Sequence, residues 1–469
     1  MHTTRIESDS IGNMSVPKNA LYGVQSLRAK HNFSISGQNL HPELLRNLVL
    51  IKKAAATSNM VSQDLTQAYG SAIIQACDQL LAGNFKEAFI VDSIQGGAGT
   101  SANMNVNEVI ANLASEMLGA ERGSYLIHPN DHVNMSQSTN DVVPTSGKLT
   151  ALTLTDTLLH ELNRLYEALI NKSEEFALVV KMGRTQLQDA VPMRLGQSFH
   201  AFASCLHRDI RRIQKAREEM KTINLGATAI GSCINASPIY LESIIPILSQ
   251  LYGEKLYCAD DLFDATQNLD GFVTVSSALK TCAINLSKMC NDLRLLSSGP
   301  KTGLGEIQLP KRQNGSSIMP GKVNPVIPEV VNQVAFAVVG NDLTISLAAE
   351  GGQLELNAFE PILFCRLFES LDWLTHAVST LVDNCIVGIT ANEEHCTTLV
   401  ESSAGIATAL CPYIGYQKSA LLAKKSLQTG VSVLALALEE HVLDENILHE
   451  ILDPVMLSQP LHQTARISS

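Results

Sequence analysis

The chain has 469 residues, of which 45% are hydrophobic, 17% charged and 5% aromatic, and its formal charge is −12. This length admits several domains or one large core with appended pieces, and the composition is globular rather than disordered. The acidic balance, with no Lys/Arg cluster that stands out, argues against general nucleic-acid binding, but a pocket with its own local field can still take a small anion.

The opening MHTTRIESDSIG has no apolar targeting region, and no window of the chain approaches a membrane span. Both features predict a cytoplasmic protein without a membrane partner. The first forty residues, with PKNALYGVQS and NFSISG, read as turns and short extended pieces. Helical periodicity rich in Ala and Leu runs from Pro42 to about Leu81. A glycine-rich loop, DSIQGGAGTS, then carries Thr100 and Ser101 and passes Asn103, Asn105 and Asn107 into another helix. The polar loop HPNDHVNMSQSTNDVV follows, and a helix is expected to start near Pro144, because proline tolerates a first helical turn.

Beyond that point no proline interrupts residues 145–191, 193–237, 247–299 or 329–360. Leu152, Leu158, Leu159, Leu162, Leu165, Tyr166 and Leu169 recur at helical spacing, and β-alternation is scarce. The chain is therefore expected to be mainly α, with central helices longer than usual. Segments 275–296 and 329–350 are apolar on more than one face and should be surrounded, most naturally by partner subunits. After Thr390 the composition becomes mixed, as in a separate small helical domain. The ten cysteines include no CxxC and no metal-like spacing, so they read as free, mostly buried thiols in a reducing compartment, and no metal site is expected.

Small polar residues interrupt the apolar helices at four places: GGAGTSANMN (96–105), SQSTND (136–141), GRTQLQDA (183–190) and GSSIMPGKVNPVIPE (315–329). Each alone is ordinary loop or cap material; Thr139 or Asn140 could cap a helix and Thr185 could serve a turn. Each borders a long helix, and together they suggest one composite pocket. Hydroxyls, amides and helix-start N–H groups suit carboxylates or phosphates, with Lys322 as a point charge and Asn324 as donor and acceptor. Neither a GxGxxG after a strand nor a GxxxxGK[ST] occurs, so a small dicarboxylate is favoured over a nucleotide. His128 and His132 read as polar loop residues or helix-cap neighbours.

GSSIMPGKVNP matches the pattern GSSxMPxKxNP, and YGVQS, KMGRTQLQDAVP, NLGATAIG and NDLRLLSSGP occur in the matching order. Over essentially its whole length the chain resembles the fumarase/aspartase superfamily, and within it the aspartase branch. The resemblance implies three domains, here 1–141, 142–395 and 396–469, with the central long helices forming a twenty-helix core in a homotetramer. It implies active sites built from three subunits, no organic cofactor, and reversible anti-elimination of ammonia from L-aspartate to give fumarate. Ser316 would be the base that takes the C3 proton, helped by Lys322. Thr100, Ser138, Thr139, Asn140, Thr185, Lys322 and Asn324 would hold the substrate. A serine hydroxyl is a poor base, so it would need alkoxide character in a closed, dry site.

Many family members have GRTH, with the histidine paired to a glutamate that corresponds to Glu329. Here Gln186 stands in its place, and it can orient a substrate but not carry a proton. This favours ammonia, which leaves well from an amine already protonated as ammonium, over water as the leaving group. Glu360 stands where fumarases carry lysine, although read alone it is a solvated helix-end charge. GSCIN at 231–235 departs from the usual GTGLN and could narrow a channel or alter a turn. The alternatives are a fumarate hydratase and a catalytically silent structural member of the family.

Overall fold

The computed structural model describes residues 4–458. The chain forms two compact units, one of Met1–Leu159, Arg211–Ala283 and Phe336–Leu374, the other of His160–Ile210, Ile284–Ala335 and Thr375–Ser469. The elements begin with β1 (Thr4–Asp9), β2 (Gly12–Pro17), α1 (Val24–Asn32), α2 (Pro42–Val61), α3 (Gln67–Leu81) and α4 (Thr100–Met117). They continue with α5 (Thr139–Glu175), β3 (Val180–Thr185), β4 (Gln188–Arg194), α6 (Leu195–Glu219), α7 (Pro238–Tyr252) and α8 (Leu262–Gln267). The long helices α9 (Asp270–Leu296), α10 (Val326–Glu350) and α11 (Glu360–Asn384) follow. The boundary between the units falls inside α5, α6, α9, α10 and α11. The mainly α expectation holds: the proline-free stretches hold most of α5, all of α6 and α9 and most of α10, while α11 lies almost wholly beyond them.

The first forty residues are more regular than their sequence suggests. β1 and β2 form an antiparallel hairpin in which Asp9 faces Gly12, and the Asp9 carboxylate accepts from the Ile11 and Gly12 N–H groups. α1 starts because Glu108, far along the chain on α4, accepts from the N–H groups of Gly23, Gln25 and Ser26. A carboxylate against a helix start satisfies donors the helix leaves open.

α5 begins at Thr139, so Pro144 lies within the helix and not at its start. A proline there removes the bond to the carbonyl four residues earlier. Asn224 supplies the replacement, its Nδ2 donating to Asn140 O at 3.1 Å.

α10 is long and apolar enough to cross a membrane by length and composition, which corrects the expectation that no window approaches a span. It also carries buried Asn332, Asn341 and Asp342, which bond Ser287, Ser370 and Ser276 respectively. Phe336, Leu343 and Leu347 on the same helix are more than 60% exposed. In the second unit, short helices including Glu393–Ser402, Tyr416–Thr429, Val433–Glu439 and Glu445–Ile451 share an apolar core with Val180 and Met182 of β3. No cysteine forms a disulfide, and Cys77, Cys282, Cys290, Cys385 and Cys396 are buried, half of the ten rather than most.

Candidate active site

The first two polar islands meet at two helix starts within one unit. Thr100 opens α4 after Gly99, whose φ of +83° suits glycine, and a Cβ there would lie 2.8 Å from a Val143 methyl of α5. The missing side chain lets the start of α4 approach the first turns of α5. Thr100 is exposed and its hydroxyl donates to Gly97 O at 2.7 Å. It lines a cavity of about 450 Å³ together with Arg28 and Tyr125.

SQSTND proves to hold a reciprocal cap. Ser138 Oγ accepts from Asn140 N at 3.3 Å, while Asp141 Oδ1 accepts from Ser138 N at 2.9 Å. This is the S-x-x-D capping box, so Ser138 caps α5 and leaves Thr139 and Asn140 for other contacts. Thr139 Oγ1 accepts from Asn103 Nδ2 at 3.3 Å, and Asn140 Nδ2 donates to Ala229 O at 2.8 Å. Asp141 is fully buried, and its other oxygen accepts from Gly226 N and Thr228 N. Burial pushes its carboxyl up to about 6, against the pull of these N–H groups and the nearby Lys52 ammonium. The 226–235 turn is thereby tied to the strip at 138–140, with Cys233 at φ +56°.

Beneath this strip lies a network that the sequence reading missed. Lys52 of α2 is fully buried and donates to Asn134 Oδ1 at 2.8 Å and Gln137 Oε1 at 2.9 Å. Asn103 and Asn107 of α4 also donate to Asn134 Oδ1, and their own carbonyl oxygens stay buried without a donor. The available signal was a lysine four residues after Leu48, inside the apolar run LVLIKKAAA. His128 and His132 serve locally, as expected: around the π turn Pro129–Val133, His128 accepts from the Asn130 and Asp131 N–H groups and His132 from the His128 N–H.

The other two islands lie in the second unit. Thr185 pairs with Gln188, so Gln186 and Leu187 form a two-residue turn with φ of +54° and +65°. Both central residues are left-handed, the geometry of a type I′ hairpin, held here without glycine or asparagine. The hairpin is anchored at Arg184, whose Nη1 lies 2.7 Å from Glu306 Oε1. Lys181 Nζ lies 3.3 Å from the other oxygen of this fully buried carboxylate. Thr185 and Gln186 are exposed at the tip.

The 315–324 loop is closed at its base. Gly315 N donates to Lys322 O at 2.8 Å, and Asn324 Nδ2 donates to Gly315 O at 3.0 Å. A Cβ on Gly315 would come within 2.6 Å of Lys322 O, so only glycine permits this closure. Ser316 Oγ accepts from Ile318 N and Met319 N, each at 3.1 Å. Lys322 is exposed. The structure therefore places Ser138, Thr139 and Asn140 together at the start of α5, tied to α4 through Asn103, and Thr100 at the start of α4, where Gly99 approaches Val143. Thr185 and Gln186 stand on their own hairpin, and Ser316, Lys322 and Asn324 on their own loop.

A lyase family model matches residues 12–340, and a model of the fumarase C C-terminus matches residues 406–459. The chain belongs to the fumarase/aspartase superfamily. It is 53% identical over 462 residues to an aspartate ammonia-lyase of Pseudomonas aeruginosa, covering 98% of each chain. The solved structure of a fumarate lyase:delta crystallin of Brucella melitensis bound to cobalt superposes with a TM-score of 0.95 at 50% identity, over 98% of this chain and 100% of that one. A class II fumarase of Schistosoma mansoni superposes at 0.94 but is 34% identical, over 98% of this chain and 100% of its own. The protein is thus a lyase with the mainly α fold of this superfamily.

Proposed function

We propose that this lyase is an aspartate ammonia-lyase, eliminating ammonia reversibly from L-aspartate to give fumarate. Ser316 is the base. Its oxygen already accepts two backbone N–H groups, and donors aimed at an oxygen favour its anionic form; this observation carries the reading. The alkoxide takes the C3 proton, and the electron pair moves into the adjacent carboxylate as a dianionic aci-carboxylate. Collapse of that species forms the C2–C3 double bond as the C2–N bond breaks, and ammonia departs with the electrons of that bond.

The rate depends on stabilising the carboxylate that gains charge. Thr139 and Asn140, beside the adjacent starts of α4 and α5, present hydroxyl, amide and positive helix ends to it. Thr100 adds a further hydroxyl there. Thr185, Lys322 and Asn324 hold the other carboxylate, and Gln186 orients the substrate without transferring a proton. The islands come from different subunits of a homotetramer whose three-domain chains contribute long helices to a twenty-helix core. The exposed apolar residues of α10 support that assembly.

The test is turnover of L-aspartate and L-malate at matched concentrations, followed by the absorbance of fumarate. Faster turnover of L-aspartate supports the reading. Faster turnover of malate replaces it with a fumarate hydratase, and turnover of neither diacid leaves the silent structural alternative.

A further inference from the structure

Lys52 occupies a place where packing alone calls for an apolar residue. It lies on the buried face of α2 with 0% of its surface exposed, between Leu48 and Ala55, and both of its acceptors are neutral amides. Burying an ammonium against neutral partners is costly, and a methionine fills similar volume without that cost. The lysine instead organises the segment above it. Three donors from two helices, Lys52 Nζ, Asn103 Nδ2 and Asn107 Nδ2, converge on Asn134 Oδ1 at 2.8, 3.2 and 3.1 Å. Asn134 Nδ2 holds Gln137 O, and Gln137 Nε2 holds Val133 O and Met135 O. The chain from 133 to 137 is thus wound around the two amides that Lys52 grips. Asn103 shares its amide between Asn134 and Thr139, which links the network to the strip above.

We propose that Lys52 is a positioning residue, whose buried ammonium fixes the 133–138 segment from below and so holds Thr139 and Asn140 where they receive a substrate carboxylate. This rests on the carboxylate-binding role given to that strip under the proposed function. The ammonium adds a fixed positive charge beneath an anion site. It is also titratable: burial pushes it down to about 7, opposed by the Asp141 carboxylate and, more weakly, by Cys77. Asp141 faces it from α5 and Cys77 from α3, with Lys53 and Asp78 beyond Cys77. α4 and the 133–137 segment present the neutral amides of Asn103, Asn107, Asn134 and Gln137. Tyr240 of α7, itself raised by burial, faces Asp141. As pH rises through neutrality the ammonium is lost, and the grip on a dicarboxylate weakens.

Succinate is the probe, since it lacks both the ammonium and the reacting bond of the substrate. In the wild-type protein its inhibition constant should rise about tenfold between about pH 6 and about pH 9. Lys52→Met should raise the KM for L-aspartate and the succinate constant about tenfold near pH 6.5, flatten their pH dependence, and leave kcat within about threefold. Asn134→Asp places a carboxylate against the ammonium and should move the alkaline limb upward by about one pH unit or more. That variant and the wild-type profile decide the matter if Lys52→Met does not fold. A folded Lys52→Met with unchanged KM, or an Asn134→Asp limb that stays in place, overturns the assignment. Succinate binding that does not vary with pH overturns it too, but leaves the carboxylate site standing. If the wild-type protein neither binds succinate nor turns over a dicarboxylate, both readings fall.

Discussion

Glu360 begins α11 with 1% of its surface exposed and neither carboxylate oxygen hydrogen-bonded. It is therefore not the solvated helix-end charge that its sequence position suggests. Burial pushes its pKa well above the ordinary 4.5, and the Lys148 ammonium only partly opposes this. The folded state thus holds a proton that the unfolded chain releases above about pH 4.5. The associated stability is fully present below that value and is lost as pH rises towards the folded value. Glu360→Gln should cancel this slope, so its unfolding free energy should gain on the wild type by about 1.4 kcal/mol per pH unit across that window. Parallel pH–stability curves for the two proteins would contradict this. The sequence marked Glu360 as a departure from fumarase-like patterns, but its burial depends on distant partners that only the fold brings in. Lys52 was hidden for the same reason, since nothing local distinguishes a buried lysine from one that reaches solvent.

At the scale of elements, the proline-free stretches and leucine spacing made α5, α9 and α10 legible, because helical periodicity is local information, whereas α11 was not singled out. Both hairpins and α1 were less visible: α1 starts on Glu108, and the 185–188 turn lacks the usual glycine or asparagine. That turn is held from below by Arg184 and Lys181 against buried Glu306. Glu306→Gln leaves two cations without their counter-charge and should destabilise the protein by about 3 kcal/mol, while raising the KM for L-aspartate through a displaced Thr185. Chemical denaturation with steady-state kinetics checks both. Gly99 serves the other helix pair. Gly99→Ala sets an L side chain at φ +83° against Val143, so it should cost about 2 kcal/mol and weaken substrate binding by separating α4 from α5. An unchanged denaturation midpoint would show that the contact relaxes freely. The 315–324 loop was the most legible island as a motif. Its geometry adds the two N–H donors on Ser316, and Ser316→Ala should lower kcat by about a thousandfold with the fold intact by circular dichroism.

For the molecule as a whole, Phe336, Val339, Leu343 and Leu347 form a stripe on one side of α10, each at least 40% exposed. Apolar residues at this spacing in water ask for a partner helix. In the proposed tetramer that partner is another copy, so Leu343→Glu should yield smaller species on sizing and lose activity while keeping its helix content. The four islands stood out in the sequence, but their distribution over the fold did not, since periodicity carries no information about which loops fall in the first unit and which in the second. In the proposed assembly Ser316 works on a substrate held by Thr139 of a different subunit. The most direct measurement of this is complementation: Ser316→Ala and Thr139→Val chains, each inactive alone, are unfolded together and reassembled in equal amounts. Sites shared between subunits should regain both groups in about a quarter of cases under random assortment, and L-aspartate turnover should return to that extent. Mixed assemblies that form tetramers yet remain as inactive as their parents would contradict the account.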